Sequence, residues 1–118
     1  MLQLAPRLTS HVRHREKYLD VPVPSDRSFV FPNAGALPRT EAASLREFTE
    51  AIASRQADQL RNFLQRGDFS KWVADVFSDH ALARELHAIE DQFRLGRVND
   101  VTDAIVHAVE ARYDFARV

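Results

Sequence analysis

Residues 67–77, Gly-Asp-Phe-Ser-Lys-Trp-Val-Ala-Asp-Val-Phe, form the densest apolar cluster of the 118-residue chain. Because glycine tolerates the left-handed backbone that ends a helix and aspartate is a favoured N-cap, one helix is predicted to end at Gly67 and Asp68 to cap the next. The apolar face of this next helix comprises Phe69, Trp72, Val73, Val76 and Phe77. A catalytic base at Asp68 beside Lys71 is the alternative, but it leaves the aromatic residues unexplained. We therefore interpret the group as a structural signature made of Gly67, Asp68, Phe69 and Trp72.

Helical patterns also precede this stretch. Ser44-Leu45-Arg46-Glu47 is a capping box, in which the serine accepts a bond from a free backbone N–H and the glutamate bonds back toward the start of the helix. A second helix is predicted from about Gln56 to Arg66. The apolar stripes of these two helices are Leu45, Phe48 and Ile52 in the first and Leu60, Phe63 and Leu64 in the second.

Two further helices are predicted after the stretch. Ser78 or Asp79 is expected to cap a fourth helix, which Gly96 ends. A fifth helix is expected to start at Asn99 or Asp100. The apolar residues recur at helical spacing, with Leu82, Leu86, Ile89 and Phe93 in the fourth helix and Val98, Val101, Ile105, Val109 and Tyr113 or Arg112 in the fifth.

A short β-ribbon is predicted ahead of the helices. In Ser28–Phe31, Phe29 and Phe31 lie on one face at period two, which is typical of a strand. The turn residues Pro32-Asn33-Ala34-Gly35 then allow 36–39 to return as a second strand. Because a lone two-stranded ribbon is marginal in water, the two phenylalanines must pack onto the helices or onto another chain.

These patterns predict a mainly α fold, a compact bundle of about five short helices with a short N-terminal β-ribbon and an extended N-terminal arm. The arm covers residues 1–27, and a single helical domain covers 28–118 with its ribbon at 28–39. Pro38 is the last of five prolines, so the chain after it is free to be helical.

Composition narrows the class of protein. A net charge of −1 disfavours binding of nucleic acid or anionic membrane by bulk charge. No apolar run approaches the ~20 residues that a membrane span requires, and the first residues lack the apolar stretch of a signal peptide. Without cysteine there is no disulfide, thiolate nucleophile or cysteine-based zinc site. We expect a cytoplasmic protein.

The basic arm holds the candidate residues for binding an anion or a partner. Arginine forks match phosphate oxygens, and lysine adds a point charge. His11 and His14 would share a helical face and could begin a metal site, but no clear third ligand accompanies them. The simpler interpretation is a solvated arm that docks onto the domain or a partner through Tyr18 and Leu19. The candidates are Arg13, His14, Arg15, Lys17, Tyr18 and Arg27.

Catalytic patterns are not recognisable in the rest of the chain. The three glycines, at 35, 67 and 96, are too far apart to form a phosphate-binding loop. Acidic residues and a histidine, which are interpreted as the solvated face of a helix, are Asp75, Asp79, His80, Glu85, Glu90 and Asp91. His87 and His107 are interpreted as boundary residues. We therefore predict no catalytic residue, metal site or cofactor, and a protein that is not an enzyme.

Several motifs occur in an order that resembles a known family. They are His14-x-x-Lys17-Tyr18, Arg27-Ser28-Phe29-Val30-Phe31, Ser44-Leu45-x-x-Phe48, Arg66-Gly67-Asp68-Phe69-Ser70-x-Trp72, Asp79-x-x-Leu82-Ala83 and Ile105-x-x-x-Val109-Glu110-x-Arg112-Tyr113. The series, over about residues 9–115, looks like a small bacterial helical domain of unknown function, found free-standing or as the C-terminal appendage of haloacid-dehalogenase-type sugar-phosphate phosphatases. The resemblance implies a module that docks onto another protein or helps to hold a phosphorylated ligand, with no activity carried over. Arg15-Glu16 departs from the family's more basic run, which weakens a phosphate site in the arm.

Three functions follow in order of preference. The first is a non-enzymatic accessory or protein–protein interaction module, a small subunit of a larger assembly that binds another protein or itself. The alternative is an anion-binding module that recognises a phosphorylated metabolite through the basic arm. The third is a small nucleic-acid-binding regulator, which the near-neutral net charge of the chain disfavours.

Overall fold

A computed structural model describes residues 21–33, 36–98 and 100–113. It confirms a mainly α fold with five helices and a two-stranded antiparallel sheet. The elements in chain order are a 3₁₀ turn at Ser25–Arg27, β1 at Phe29–Phe31, β2 at Thr40–Ala42, α1 at Leu45–Ala53, a 3₁₀ turn at Ala57–Gln59, α2 at Arg61–Arg66, α3 at Asp68–Trp72, a π-helical turn at Val73–Phe77, α4 at His80–Arg94 and α5 at Val101–Tyr113. Of the predicted arm, residues 1–20 lie outside the described residues.

The second strand lies later in the chain than the sequence predicted. It is formed by Thr40–Ala42 instead of 36–39, and Phe29 pairs with Ala42 across the ribbon. Two features explain the position. Pro38 lacks the N–H that a strand ladder needs, and Ala42 presents a small, fully buried side chain beside the phenylalanines of β1.

Phe29 and Phe31 pack onto the helices of the same chain. The Phe29 ring centroid lies 5.1 Å from that of Phe63, 5.2 Å from that of Phe69 and 5.6 Å from that of Trp72. Such tilted and edge-on pairs are favourable beyond the area that they bury. The helices therefore cover the ribbon, and its aromatic face requires no second chain.

The predicted helix starts are confirmed in most cases. The Ser44 hydroxyl accepts from the Glu47 N–H at 3.2 Å, while the Glu47 carboxylate accepts from the Ala43 N–H at 2.8 Å. Of the alternatives for α4, Asp79 provides the cap, because its Oδ1 accepts from the Leu82 N–H at 3.1 Å. These bonds fix where α1 and α4 begin.

Asp100 and two glycines fix the remaining boundaries. Asp100 caps α5 by accepting from the Asp103 N–H at 3.1 Å. Gly67 ends α2 with φ of +72°, and Gly96 follows α4 with φ of +70°. Beyond α4, the N–H groups of Gly96 and Arg97 bond back to carbonyls of the last turn, which is the Schellman arrangement.

The third predicted helix is divided in two. Its α-helical part ends at Trp72, and Val73–Phe77 forms a π-helical turn that closes at Ser78 with φ of +56°. The predicted apolar residues of this region are buried, except that Val76 is half-buried. Helix α4 lies at the centre of the domain and packs against α2, α3, the π-helical turn and α5.

We expect Phe31→Ala to lower the free energy of unfolding by about 3–5 kcal/mol, because it leaves a cavity among packed rings. Phe31 is fully buried, whereas its strand neighbour Val30 is 38% exposed. The matched control Val30→Thr should change stability by about 0.5 kcal/mol or less. Urea unfolding followed by Trp72 fluorescence measures both, and equal effects would contradict the packing of the ribbon on the helices.

Candidate functional site

The candidate residues of the arm are mostly outside the described residues. Arg13, His14, Arg15, Lys17 and Tyr18 lie there, and Arg27 is the member that the structure places. The Arg27 guanidinium donates to the Asp75 carbonyl at 3.0 Å, and the Arg27 carbonyl accepts from the Trp72 indole N–H at 2.8 Å. Arg27 thus fastens the first 3₁₀ turn to the π-helical turn. Whether the arm binds an anion or a partner stays a prediction.

The structural signature contains one residue whose predicted role is wrong. Gly67 ends α2, and Phe69 and Trp72 are buried in the core, as predicted. Asp68, however, is the first residue of α3 and makes no capping bond; its carboxylate accepts from the Arg66 Nε at 2.9 Å. Because the left-handed Gly67 lets α3 begin at once, Asp68 already lies too far into the helix to cap it.

Glu90 on α4 supplies the cap that α3 lacks. Its Oε2 accepts from the Ser70 N–H at 3.1 Å, and its Oε1 lies 2.7 Å from the Ser70 hydroxyl oxygen. Glu90 is 0% exposed, so the prediction that it belongs to a solvated face is wrong. The backbone N–H of the third residue of a helix ordinarily bonds to the side chain of the N-cap residue in the same segment. Here the acceptor is a side chain of the neighbouring helix α4.

Burial and hydrogen bonding act on the pKa of Glu90 in opposite directions. The Ser70 hydroxyl oxygen lies 2.7 Å from Glu90 Oε1 and 3.2 Å from the Gly67 carbonyl, but a hydroxyl has one hydrogen to donate. If the acid is neutral, it donates to Ser70, and Ser70 donates to Gly67. Burial raises the pKa of Glu90 above its ordinary value of 4.5, although the two Ser70 bonds, then His87 and Arg94, act in the opposite direction.

We expect Glu90→Gln to preserve the fold at neutral pH, because the amide can donate to the Ser70 hydroxyl and accept from its N–H. Glu90→Ala should lower the free energy of unfolding by about 2–4 kcal/mol, because it leaves the Ser70 N–H without an acceptor and creates a cavity. Asp68→Ala is the matched control and should cost less than about 1 kcal/mol. Chemical unfolding of the three variants at pH 7 measures this order.

Glu90 also predicts a pH dependence of stability. A folded pKa raised above 4.5 means that the native state holds the proton more strongly than the unfolded chain does. The stabilising contribution is therefore complete below pH 4.5 and is lost as pH rises through the folded pKa. Glu90→Gln should remove this part of the pH dependence, and an unchanged profile in that variant would contradict a raised pKa of Glu90.

A second buried carboxylate, Asp79, joins α4 to α5. Its two oxygens accept from Arg112 Nε at 3.1 Å and Arg112 Nη2 at 3.0 Å, and Asp79 also accepts from the Tyr113 hydroxyl. Asp79 is 7% exposed, so its assignment to a solvated face is wrong as well. Burial opposes ionisation of Asp79, but the bonds from Arg112, Tyr113 and Leu82 outweigh it and lower the pKa of Asp79 below 3.8.

Asp79→Asn should lower the free energy of unfolding at pH 7 by about 2–3 kcal/mol, because the pair of charge-assisted bonds to Arg112 is lost. The exposed Asp75→Asn is the control and should change stability by about 0.5 kcal/mol or less. With a lowered folded pKa, the Asp79 contribution is present above pH 3.8 and is lost as pH falls through the folded value. Thermal unfolding between pH 2 and pH 7 tests this; a wild-type-like acid limb in the asparagine variant would contradict it.

A surface groove lies between α3 with its π-helical turn and α4, and we call it the basic groove. Its volume is about 310 Å³, and its lining residues are Ser70, Lys71, Ala74, His80, Ala83, Arg84 and His87. Lys71 stands on one wall, while His80, Arg84 and His87 follow one another at spacings of four and three along the other. This spacing places the three α4 residues on one helical face.

The basic groove carries two full positive charges, those of Lys71 and Arg84, and two histidines that the net charge of −1 counts as neutral. Lys71, His80, Arg84 and His87 are all exposed. The half-buried Asp91 lies next to this set, with its Oδ2 3.4 Å from His87 Nε2. Sequence reasoning missed the groove. The recurrence of His80, Arg84 and His87 was a usable signal, but the partner wall was not visible from it.

Two other clefts flank the buried Arg55. They have volumes of about 470 and 390 Å³, and acidic residues contribute to both, Asp100 and Asp103 in the first and Glu41, Glu47 and Glu50 in the second. Arg55 is 5% exposed; it donates to the Ala51 carbonyl at 3.2 Å and lies 4.8 Å above the Phe31 ring. Burial lowers the pKa of Arg55. These contacts hold the Arg55 side chain against the last turn of α1.

The described part of the chain was also searched for metal sites, membrane-spanning helices and unpaired buried polar atoms. Within 21–33, 36–98 and 100–113, no three His, Asp or Glu side chains are grouped so that they could hold a metal ion. The helices in these same ranges are too short or too polar to cross a membrane. Every buried side-chain nitrogen or oxygen in the described part of the chain has a hydrogen-bond partner.

No protein-family model, curated protein or solved structure matches the chain. The resemblance to a domain appended to phosphatases therefore stays a prediction. The proposal below rests on the groove and the buried carboxyl groups.

Proposed function

We propose that this protein is a non-enzymatic interaction module of the cytoplasm, an accessory subunit that binds a partner protein through the basic groove. The observation that carries the proposal is the convergence of four exposed basic side chains, Lys71, His80, Arg84 and His87, on the two walls of one groove. Clustered charge of one sign steers association and selects partners of the opposite sign.

Hydrogen bonds of buried carboxyl groups connect the groove walls to each other and to α5. Glu90 bonds α4 to the start of α3 through Ser70, which itself lines the groove. At the other end, Asp79 caps α4 and binds Arg112 of α5. A surface that is already ordered loses little conformational entropy on binding, so a preformed groove supports a binding role.

The buried carboxylates support binding over catalysis. A general acid or base must reach the reacting atoms. Glu90 is fully buried and committed to Ser70, while Asp79 is committed to Leu82, Arg112 and Tyr113. The resemblance to an appended domain points to the same accessory role.

A phosphorylated metabolite is the second candidate ligand. Lys71 and Arg84 carry the side chains that pair with phosphate oxygens. The shape of the groove favours the protein partner, because small-molecule sites are concave and enclose most of their ligand. The basic groove lies open between two helices.

The paired substitution Lys71→Glu and Arg84→Glu should weaken partner binding about tenfold or more, because two attractions become repulsions. The matched control is Arg97→Glu, an exposed arginine beyond α4. Tagged wild-type and variant proteins are recovered from the source cells, and retained partners are quantified by native mass spectrometry. Circular dichroism confirms that each variant is folded.

Two results would count against this function. A strict monomer with no retained partner in the wild type removes the interaction module itself. Equal retention by the Lys71/Arg84 variant and the Arg97 variant shows that the interaction uses another surface.

A further inference from the structure

We propose that the basic groove receives an acidic helical segment of the partner, with its carboxylates in a row along one face. This inference rests on the proposed function and specifies the chemistry of the partner. It is carried by the spacing of the basic residues, the small side chains between them and the carboxylate of Asp91 beyond one end of the groove.

The basic residues of α4 form a row of defined length. His80 and His87 are seven residues apart, which at 1.5 Å per residue is about 10 Å along the helix axis, with Arg84 between them. A second helix lying alongside presents side chains at the same repeat. Glutamates or aspartates at spacings of three and four on that helix would face this row.

The groove floor allows a close approach. Ser70, Ala74 and Ala83 have small side chains, and the longer Lys71 and Arg84 stand at the rim. Helices pack at 8–10 Å between axes according to the size of the side chains at the contact, so small residues favour the lower end of this range. The long basic side chains can then extend along the flanks of the incoming helix and meet its carboxylates.

The charges near the groove fit an acidic ligand with a defined end. Glu90, directly behind Ser70, is fully buried and bonds to the Ser70 hydroxyl and N–H, so its carboxyl group does not line the groove. Asp91 lies past His87 and contacts both His87 and Arg94. The carboxylates of the ligand should therefore face His80 and Arg84, and the ligand should be neutral or basic where it reaches Asp91.

The test uses a defined probe. An end-blocked helical peptide of about 20 residues carries glutamate at alternating spacings of three and four among alanine and leucine, a length at which isolated helices become stable. Its twin carries lysine at the same positions, and pyrophosphate serves as the small anion. Each is titrated into ¹⁵N-labelled full-length protein, and backbone amide shifts are followed at low and physiological salt.

The glutamate peptide should shift the amides of Ser70, Ala74, Ala83 and Arg84, and the lysine twin should not. Lys71→Glu with Arg84→Glu should weaken the peptide about tenfold, while Arg97→Glu stays within about twofold. Shifts confined to other surfaces, equal loss in both variants, or pyrophosphate shifting the groove amides while the peptide does not would each overturn the inference.

These outcomes are separable from failure of the proposed function. A cellular partner that depends on the groove residues but is not displaced by the glutamate peptide leaves the interaction module standing and rejects the acidic helix. The opposite result is also possible: no partner is recovered from cells, but the glutamate peptide binds the groove. That result rejects the interaction module in cells and still shows a groove that is selective for acidic helices.

Discussion

The hydrogen bonds between Glu90 and Ser70 connect the two parts of this fold that define its surface. Helix α3 begins directly after a left-handed glycine, so no side chain at the N-cap position can accept its free N–H groups. A buried carboxyl from α4 accepts one of them and bonds to the adjacent hydroxyl. The position of α3 against α4, and hence the walls of the basic groove, depends on this bond across helices.

A second clamp works by the opposite electrostatic means. Burial opposes ionisation of Asp79, but the bonds from Arg112, Tyr113 and a backbone N–H lower its pKa, whereas burial raises the pKa of Glu90. Burying a charge is costly unless it is paired and fully bonded, and burying a neutral acid costs less. The two carboxylates therefore anchor opposite ends of α4 and impose opposite pH dependences on stability.

Much of the fold was predictable from local patterns, because helical stripes and caps are properties of short segments. The stripe of α1, the glycine ends of α2 and α4, and the caps at Ser44 and Asp100 follow from such patterns. Glu90 and Asp79 were assigned to solvent because acidic residues usually lie there. Their partners are distant in sequence, Ser70 by 20 residues and Arg112 by 33, so no periodicity within one helix shows them.

The candidate site was hidden for the same reason, since neither wall of the groove is a motif. Lys71 is one lysine among buried aromatics, and His80, Arg84 and His87 are the exposed face of an amphipathic helix. They line one groove because α3 lies beside α4, where Glu90 bonds to Ser70. Burial raises the pKa of Glu90 and so disfavours a negative charge directly behind the groove floor. The chemistry that joins the helices is thus compatible with a groove that attracts anions.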